Sequence, residues 1–105
     1  MLGERIALLR RGKGWNQAEL ARHLHISTSA VGMYEQGRRE PSLEGLVKLA
    51  AALEVSADYL LTGTPMVEKD KKAITKAAGA VGDFRGGGFS REELSVLFAS
   101  LLSEP

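Results

Sequence analysis

The sequence predicts an all-α protein, with a domain of five short helices followed by a C-terminal helical segment. Apolar residues recur at helical spacing, and no stretch shows the apolar–polar alternation that is typical of a half-buried strand. Glycine, serine, asparagine and proline divide residues 1–63 into segments of the length of short helices. A chain of 105 residues has room for one small domain and an appendage.

The composition narrows the class of protein. The chain has 14 Lys and Arg against 13 Asp and Glu, so its net charge of +1 does not indicate a polybasic or polyacidic partner. It has no cysteine, which excludes a disulfide scaffold and thiolate metal sites and is consistent with a reducing compartment. No apolar run approaches the roughly 18 residues of a membrane span. We therefore expect a cytoplasmic protein that does not contact the membrane.

The first three predicted helices have recognisable ends. Gly12 and Gly14 interrupt the first, Asn16 is a good N-cap for the second, and Ser27 caps a third that stops at Gly37. Their apolar residues are Leu2, Ile6 and Leu9 in the first helix, Ala18, Leu20, Ala21 and Leu24 in the second, and Ala30, Val31 and Tyr34 in the third.

Two more helices complete the predicted domain. Pro41 and Ser42 open the fourth, and the fifth, residues 57–61, ends at Gly63. The apolar residues of the fourth helix are Leu43, Leu46, Val47, Ala50 and Leu53.

Residues 64–88 are predicted to be a linker with a weak helix, because Gly79 and Gly82 each cost a helix up to about 1 kcal/mol. Residues 89–105 are predicted to form an amphipathic helix that begins with a capping box, Ser90 to Glu93. Its apolar stripe needs a partner surface, which we expect to be another copy of the chain in a homodimer or higher homo-oligomer. The alternative is that the stripe packs onto the helical domain of the same chain. The oligomerisation residues are Leu94, Leu97, Phe98 and Leu101.

The second and third predicted helices are joined by a tight turn and carry the strongest functional signal. The buried face is supplied by Leu24, Ile26, Val31 and Tyr34, with Ala21 where the helices cross. The side chains on the opposite face of the third helix are small, polar and nearly uncharged. An ordinary solvent-exposed face is usually rich in Glu and Lys, so this composition favours insertion of the helix into a groove.

Four segments together resemble the Xre / Cro–cI family of helix-turn-helix repressors. They are residues 15–21 (WNQAELA), 34–38 (YEQGR), 39–42 (REPS) and 53–63 (LEVSADYLLTG). The resemblance extends from Leu2 to Gly63, and it implies a five-helix repressor-like domain that binds double-stranded DNA. A C-terminal helical segment after such a domain also loosely resembles the Sin-type repressors.

The resemblance implies roles for individual residues. Thr28, Ser29 and Met33 match positions that read base edges in the major groove. A second set matches phosphate contacts or flanks the recognition helix, namely Gln17, Ser27, Gln36, Arg38 and Arg39. Arg10 and Glu35 match a pair that bridges the first and third helices in family members.

Other interpretations of these residues remain open. Gln17 can be an ordinary surface residue, Thr28 and Ser29 can serve only to cap the helix, and Met33 can fold back onto the core. His25 occupies the position in the turn that usually holds glycine. Glycine is usual there because the residue at this position is expected to have a positive φ, which is uncommon for other residues. None of the three base-reading positions holds Arg, Lys, Asn or Gln, so direct readout is expected to be modest.

The predicted function is that of a sequence-specific transcriptional regulator, a repressor that binds a palindromic operator as a homodimer. One helix-turn-helix reads too few base pairs to select a genomic site, which favours paired half-sites. The alternative is a protein-interaction module of the same fold, such as an antitoxin. We expect no enzyme activity, metal or cofactor, because the sequence lacks a nucleophile–base set, a phosphate loop and a metal-ligand cluster.

Overall fold

The computed structural model describes residues 2–83, and the side chains of residues 2–79. These residues form six helices joined by turns and short loops, which confirms the predicted all-α class. The helices are α1 (Leu2–Gly12), α2 (Gln17–Leu24), α3 (Thr28–Gln36), α4 (Leu43–Leu53), α5 (Ala57–Thr62) and α6 (Glu68–Asp83).

Side-chain caps determine where the middle helices begin. Asn16 forms a reciprocal capping box with Glu19, in which each side chain bonds to the backbone N–H of the other residue. Ser27, Ser42 and Ser56 accept a backbone N–H from three residues ahead, at 3.0–3.1 Å. Each cap satisfies an N–H that the first turn of a helix leaves without an intrahelical partner.

Two helices end at a non-glycine residue in the left-handed conformation. His25 follows α2 with φ 56° and ψ 43°, and Glu54 follows α4 with φ 59° and ψ 46°. In both cases the backbone N–H of the capping residue bonds to carbonyls at the end of the helix, which offsets the steric cost of positive φ. The turn after α2 therefore has the expected geometry without a glycine.

The core lies where α1, α4 and α5 meet α2 and α3. Its largest fully buried side chain is Tyr59, and every helix contributes aliphatic residues to the same cluster. The aliphatic residues with less than 2% exposure are Ile6, Leu8, Leu20, Val31, Leu49, Leu53, Val55, Leu60, Ile74 and Ala77. Arg5 joins this core because its guanidinium donates to the carbonyls of Leu60 (2.8 Å) and Leu61 (3.0 Å), and so ties α1 to the end of α5.

Helix α6, which lies in the segment predicted to be a linker, contributes side chains to the core. Helix α6 packs along α1, and Ile74 and Ala77 are buried in the same apolar cluster as the first five helices. Gly12 permits this approach, since a Cβ at that position would lie 3.1 Å from the Cα of Ala77. Gly79 lowers the helix propensity of α6, as expected, but burial of one face of the helix offsets this loss of stability.

Asp70 fastens the start of α6 to the start of α5. Its fully buried carboxylate accepts hydrogen bonds from the backbone N–H and the hydroxyl of Ser56, both at 2.7 Å, and from the N–H groups of Met66 (3.0 Å) and Val67 (3.3 Å). Burial by itself raises the pKa of Asp70, but these hydrogen bonds outweigh burial and hold the pKa below its ordinary value.

Not every residue of the predicted apolar pattern is buried. Leu43 and Val47 of α4 are 78% and 56% exposed, and Leu61 of α5 is also exposed. They lie on the sides of these short helices that the described part of the chain leaves uncovered. In the described part of the chain, no helix is long and apolar enough to cross a membrane.

Candidate nucleic-acid interface

Helices α2 and α3 form a helix-turn-helix unit that is closed by backbone bonds across the turn. The N–H of Ile26 donates to the carbonyl of Ala21 at 3.1 Å. The N–H of His25 donates to the carbonyls of Ala21 and Arg22. Ala21, Leu24 and Val31 are buried between the helices. The turn is thus fixed on one side by hydrogen bonds and on the other by apolar packing.

The third helix has distinct inner and outer faces. Ala30 and Val31 are buried, whereas Thr28, Ser29 and Gln36 are exposed. Met33 is intermediate, partly covered and partly accessible. Since α3 contains one charged residue, Glu35, whose carboxylate is paired, its outer face is uncharged.

Residues at both ends of α3 offer further polar groups. The Ser27 oxygen accepts the Ala30 N–H at 3.1 Å, which leaves the hydroxyl proton of Ser27 available as a donor. Arg38 and Arg39 are exposed after the helix, and the Arg39 guanidinium lies 6.0 Å from the centre of the Tyr34 ring. This contact holds one of the two cations beside the C-terminal end of α3.

A shielded ion pair joins α1 to α3. Arg10 donates from Nε to Glu35 Oε2 at 2.7 Å and from Nη2 to Oε1 at 3.1 Å, a two-pronged geometry. The side chains are only 9% and 7% exposed. Arg10 also donates from Nη1 to the Trp15 carbonyl at 2.8 Å, which fixes the chain just before α2.

Gln17 belongs to the same network. Its Nε2 donates to Glu35 Oε1 at 3.0 Å, so the first residue of α2 is attached to the C-terminal half of α3. The resemblance implies a phosphate contact for Gln17 but does not imply this bond. A primary amide has two N–H donors, and the bond to Glu35 occupies only one of them.

Trp15 and His23 form a stacked pair that the sequence reasoning did not include in the site. Their ring centres are 4.2 Å apart and their planes differ by 18°. Trp15 precedes the cap of α2, and His23 lies near the end of the same helix. An aromatic residue just before an N-cap is a weak sequence signal, since its partner depends on where the helix points.

The remaining predicted residues are not located by the structure. Leu94, Leu97, Phe98 and Leu101 lie outside the described residues. Among the side chains of residues 2–79, no group of three or more His, Cys, Asp or Glu residues is arranged to hold a metal ion.

Comparison with known proteins identifies the fold family. The helix-turn-helix family model HTH_3 matches residues 6–60. The chain is 45% identical over 64 residues to the SPβ prophage-derived uncharacterized HTH-type transcriptional regulator YonR of Bacillus subtilis, which covers 61% of this chain and 59% of YonR. It is 38% identical over 63 residues to repressor protein C2 of Salmonella phage P22, which covers 60% of this chain and 29% of that protein.

A third similarity extends beyond the first five helices. The HTH-type transcriptional regulator SinR of Bacillus licheniformis is 30% identical over 94 residues, covering 89% of this chain and 85% of SinR. No solved structure matches the chain. The chain spans about three-fifths of YonR and less than a third of C2. Because the family match includes more than half of the sequence, including both helices of the unit described above, this chain belongs to the helix-turn-helix family.

Proposed function

We propose that this chain is a sequence-specific DNA-binding regulator of transcription that acts as a repressor on a palindromic operator. The observation that carries the proposal is the outer face of α3, which is exposed, polar and uncharged beside two exposed arginines. The names of three relatives support a role in transcription, because C2 is a repressor and YonR and SinR are transcriptional regulators.

Thr28, Ser29 and Met33 are the proposed base-reading residues. The Thr28 methyl group suits a thymine methyl, the Ser29 hydroxyl can donate or accept a hydrogen bond, and Met33 offers an apolar contact from its accessible part. None of these three residues is of a type that forms two-pronged hydrogen bonds with a base. Part of the specificity is therefore assigned to the shape and deformability of the DNA.

The proposed phosphate contacts surround this face. Gln17 lies in the first turn of α2, where backbone N–H groups favour a bound anion. Ser27 and Gln36 lie at the two ends of α3, followed by Arg38 and Arg39. We expect these contacts to position the protein on DNA, whereas the central residues of α3 select the sequence.

Selection of bound duplexes from a random DNA pool tests the proposal and supplies the operator. A palindromic enriched sequence is the expected result, with affinity for it that falls as salt rises from about 50 to 200 mM, because phosphate contacts release counterions. Recovery of no enriched sequence, together with salt-independent binding, would contradict the function.

The homodimer is a separate part of the proposal. Leu94, Leu97, Phe98 and Leu101 are spaced to share one face of a helix, and burial of each stabilises association by about 1.5–3 kcal/mol before association costs. We expect the full chain to be a dimer in light scattering and the double variant Leu97→Glu/Leu101→Glu to be a monomer.

The matched control for the dimer is Ala99→Glu/Ser103→Glu, which adds the same charge at positions that fall on the opposite face of the predicted helix. It should remain dimeric. A full chain that is monomeric at tens of micromolar, or a Leu97→Glu/Leu101→Glu variant that still dimerises, would show that this face does not form the interface.

A further inference from the structure

A cleft lies at the junction of α1, α4 and α6, with a volume of about 210 Å³. The cleft is lined by Leu9 and Leu53, whose side chains are almost fully buried (3% and 1% exposed), so its accessible apolar surface comes from partly exposed neighbours such as Gly12 and Ala73. The cleft exists because α6 packs along α1 at Gly12 and leaves a gap beside the end of α4. Its volume is below the roughly 300–1,000 Å³ of pockets for drug-sized ligands, so it suits a small ligand.

The rim of the cleft is strongly basic. Lys13 lies at the end of α1, and Lys69, Lys72 and Lys76 recur on one side of α6. Glu54 is the one acidic residue among those that line the cleft, so four lysines and one glutamate give a local charge of +3. Within residues 2–79, ion pairing neutralises only Lys13 of these four, through Glu54.

The pKa of Glu54, the glutamate at the rim, is lowered by these cations. A hydrogen bond from Lys13 and the charges of Lys13 and Lys76 hold the pKa of Glu54 below its ordinary value. Like charges at helical spacing on α6 repel one another and destabilise the helix slightly. A basic rim around an apolar floor therefore has a cost in the free protein that a bound anion would relieve.

We propose that this cleft binds a small amphipathic anion, a hydrocarbon group of a few carbon atoms that bears one carboxylate or phosphate. The hydrocarbon would lie on Gly12 and Ala73, above the buried Leu9 and Leu53, and the head group would contact Lys72 and Lys76. An inorganic ion would leave the floor unused, and a neutral molecule would leave the lysines unpaired. The proposal does not depend on the DNA-binding function, since none of these residues is assigned to that surface.

The chain contains a natural reporter for such binding. Lys13 Nζ lies 5.3 Å from the centre of the ring of Trp15, which is the single tryptophan of the sequence. An anion at the rim competes with Glu54 for Lys13 and changes the position of this cation over the indole. We therefore expect tryptophan fluorescence of the full chain to change when the cleft is occupied.

The experiment titrates the full chain with hexanoate and with hexyl phosphate at constant ionic strength, following Trp15 fluorescence and heat of binding. Hexanol tests the hydrocarbon without charge, and acetate and inorganic phosphate test the charge without hydrocarbon. Saturable binding in the millimolar range or tighter is expected for at least one of the two amphiphiles. The stronger of the two identifies the head group as carboxylate or phosphate.

Two variants of equal net charge locate the site. Lys72→Glu/Lys76→Glu should weaken binding of the preferred amphiphile at least about fivefold, whereas Lys48→Glu/Lys71→Glu, outside the cleft, should change it less than about twofold. Circular dichroism confirms that both variants are folded.

Three results would overturn the proposal. They are the absence of saturable binding by both amphiphiles, binding of hexanol or of the simple anions that is as strong as that of the amphiphiles, and equal effects of the two variants.

Discussion

Gln17 and Glu35 are joined by a hydrogen bond of 3.0 Å, although they lie at opposite ends of the helix-turn-helix unit. The accepting oxygen, Glu35 Oε1, also receives Arg10 Nη2 at 3.1 Å. Three helices therefore meet at one carboxylate, with Arg10 from α1, Gln17 from α2 and Glu35 from α3. This arrangement makes the proposed phosphate contact of Gln17 part of the structural network that holds the recognition helix.

Loss of Arg10 should destabilise the fold strongly. The substitution Arg10→Met leaves the shielded carboxylate of Glu35 with Gln17 as its one remaining partner in the network, and breaking such a pair costs about 3–5 kcal/mol. Urea unfolding measures the change, with Arg22→Met, an exposed arginine on α2, as the control. The double variant Arg10→Met/Glu35→Met should recover part of the loss, because no carboxylate is then left unpaired. Equal stability of Arg10→Met and Arg22→Met would contradict a stabilising role for the pair.

Substitutions on α2 and α3 should separate positioning from sequence selection. Thr28→Ala/Ser29→Ala should weaken binding to the selected operator by about 1–3 kcal/mol and change binding to a scrambled duplex much less. Gln17→Ala should weaken binding to both duplexes about equally, because a phosphate contact carries no sequence information. Fluorescence anisotropy with the two duplexes gives both affinities. If the double variant loses both affinities to the same extent, Thr28 and Ser29 do not read bases.

Removal of the Asp70 charge should reduce stability in a pH-dependent way. Asp70→Asn weakens the bonds from Ser56, Met66 and Val67, and hydrogen bonds to a charged group contribute about 1.5–3 kcal/mol each. Since the pKa of Asp70 is lowered in the folded protein, its contribution is complete above the unfolded pKa and is lost as pH falls through the folded pKa.

The difference in stability between the original chain and Asp70→Asn should therefore be constant near neutral pH and shrink in acid below pH 3.8, the ordinary value for this carboxyl group. Urea unfolding at a series of pH values measures it. Asp58→Asn, at an exposed position in the first turn of α5, is the control and should have a smaller effect at neutral pH. A difference that grows in acid would have the wrong sign for a carboxylate stabilised by folding.

Two glycine-to-alanine substitutions should have opposite effects. A Cβ at Gly3 would lie 2.6 Å from the carbonyl oxygen of Tyr34 and would also collide with that of Glu35, so Gly3→Ala forces α1 away from α3 and costs about 1–3 kcal/mol. Gly79 has open space around it on α6, and Gly79→Ala should stabilise the protein by about 0.5–1 kcal/mol. Thermal unfolding compares the two. Stabilisation by Gly3→Ala would show that the two helices are not in close contact.

The sequence by itself determined the features that depend on residues close together in the chain. Asn16, Ser27, Ser42 and Ser56 cap helices through bonds to the backbone three residues ahead, so the starts of α2 to α5 follow from local chemistry. Helical periodicity also predicts the all-α class and the inner residues of α3. The left-handed residue after α2 was predictable as well, because a tight turn of this kind requires it.

Only the tertiary structure decided which amphipathic faces are covered. Periodicity does not separate Leu46, which is buried, from Leu43 and Val47, which are exposed, because the difference depends on which helices pack against α4. The same limit applies to α6, whose glycines predict a weak helix while the contacts of Ile74 and Ala77 with the core stabilise it. The bonds of Glu35 to Arg10 and Gln17 join residues 25 and 18 positions apart, and a local pattern does not contain that geometry. Burial and long-range hydrogen bonds depend on the partner that folding brings into contact, and this is the physical reason why the structure was needed to find them.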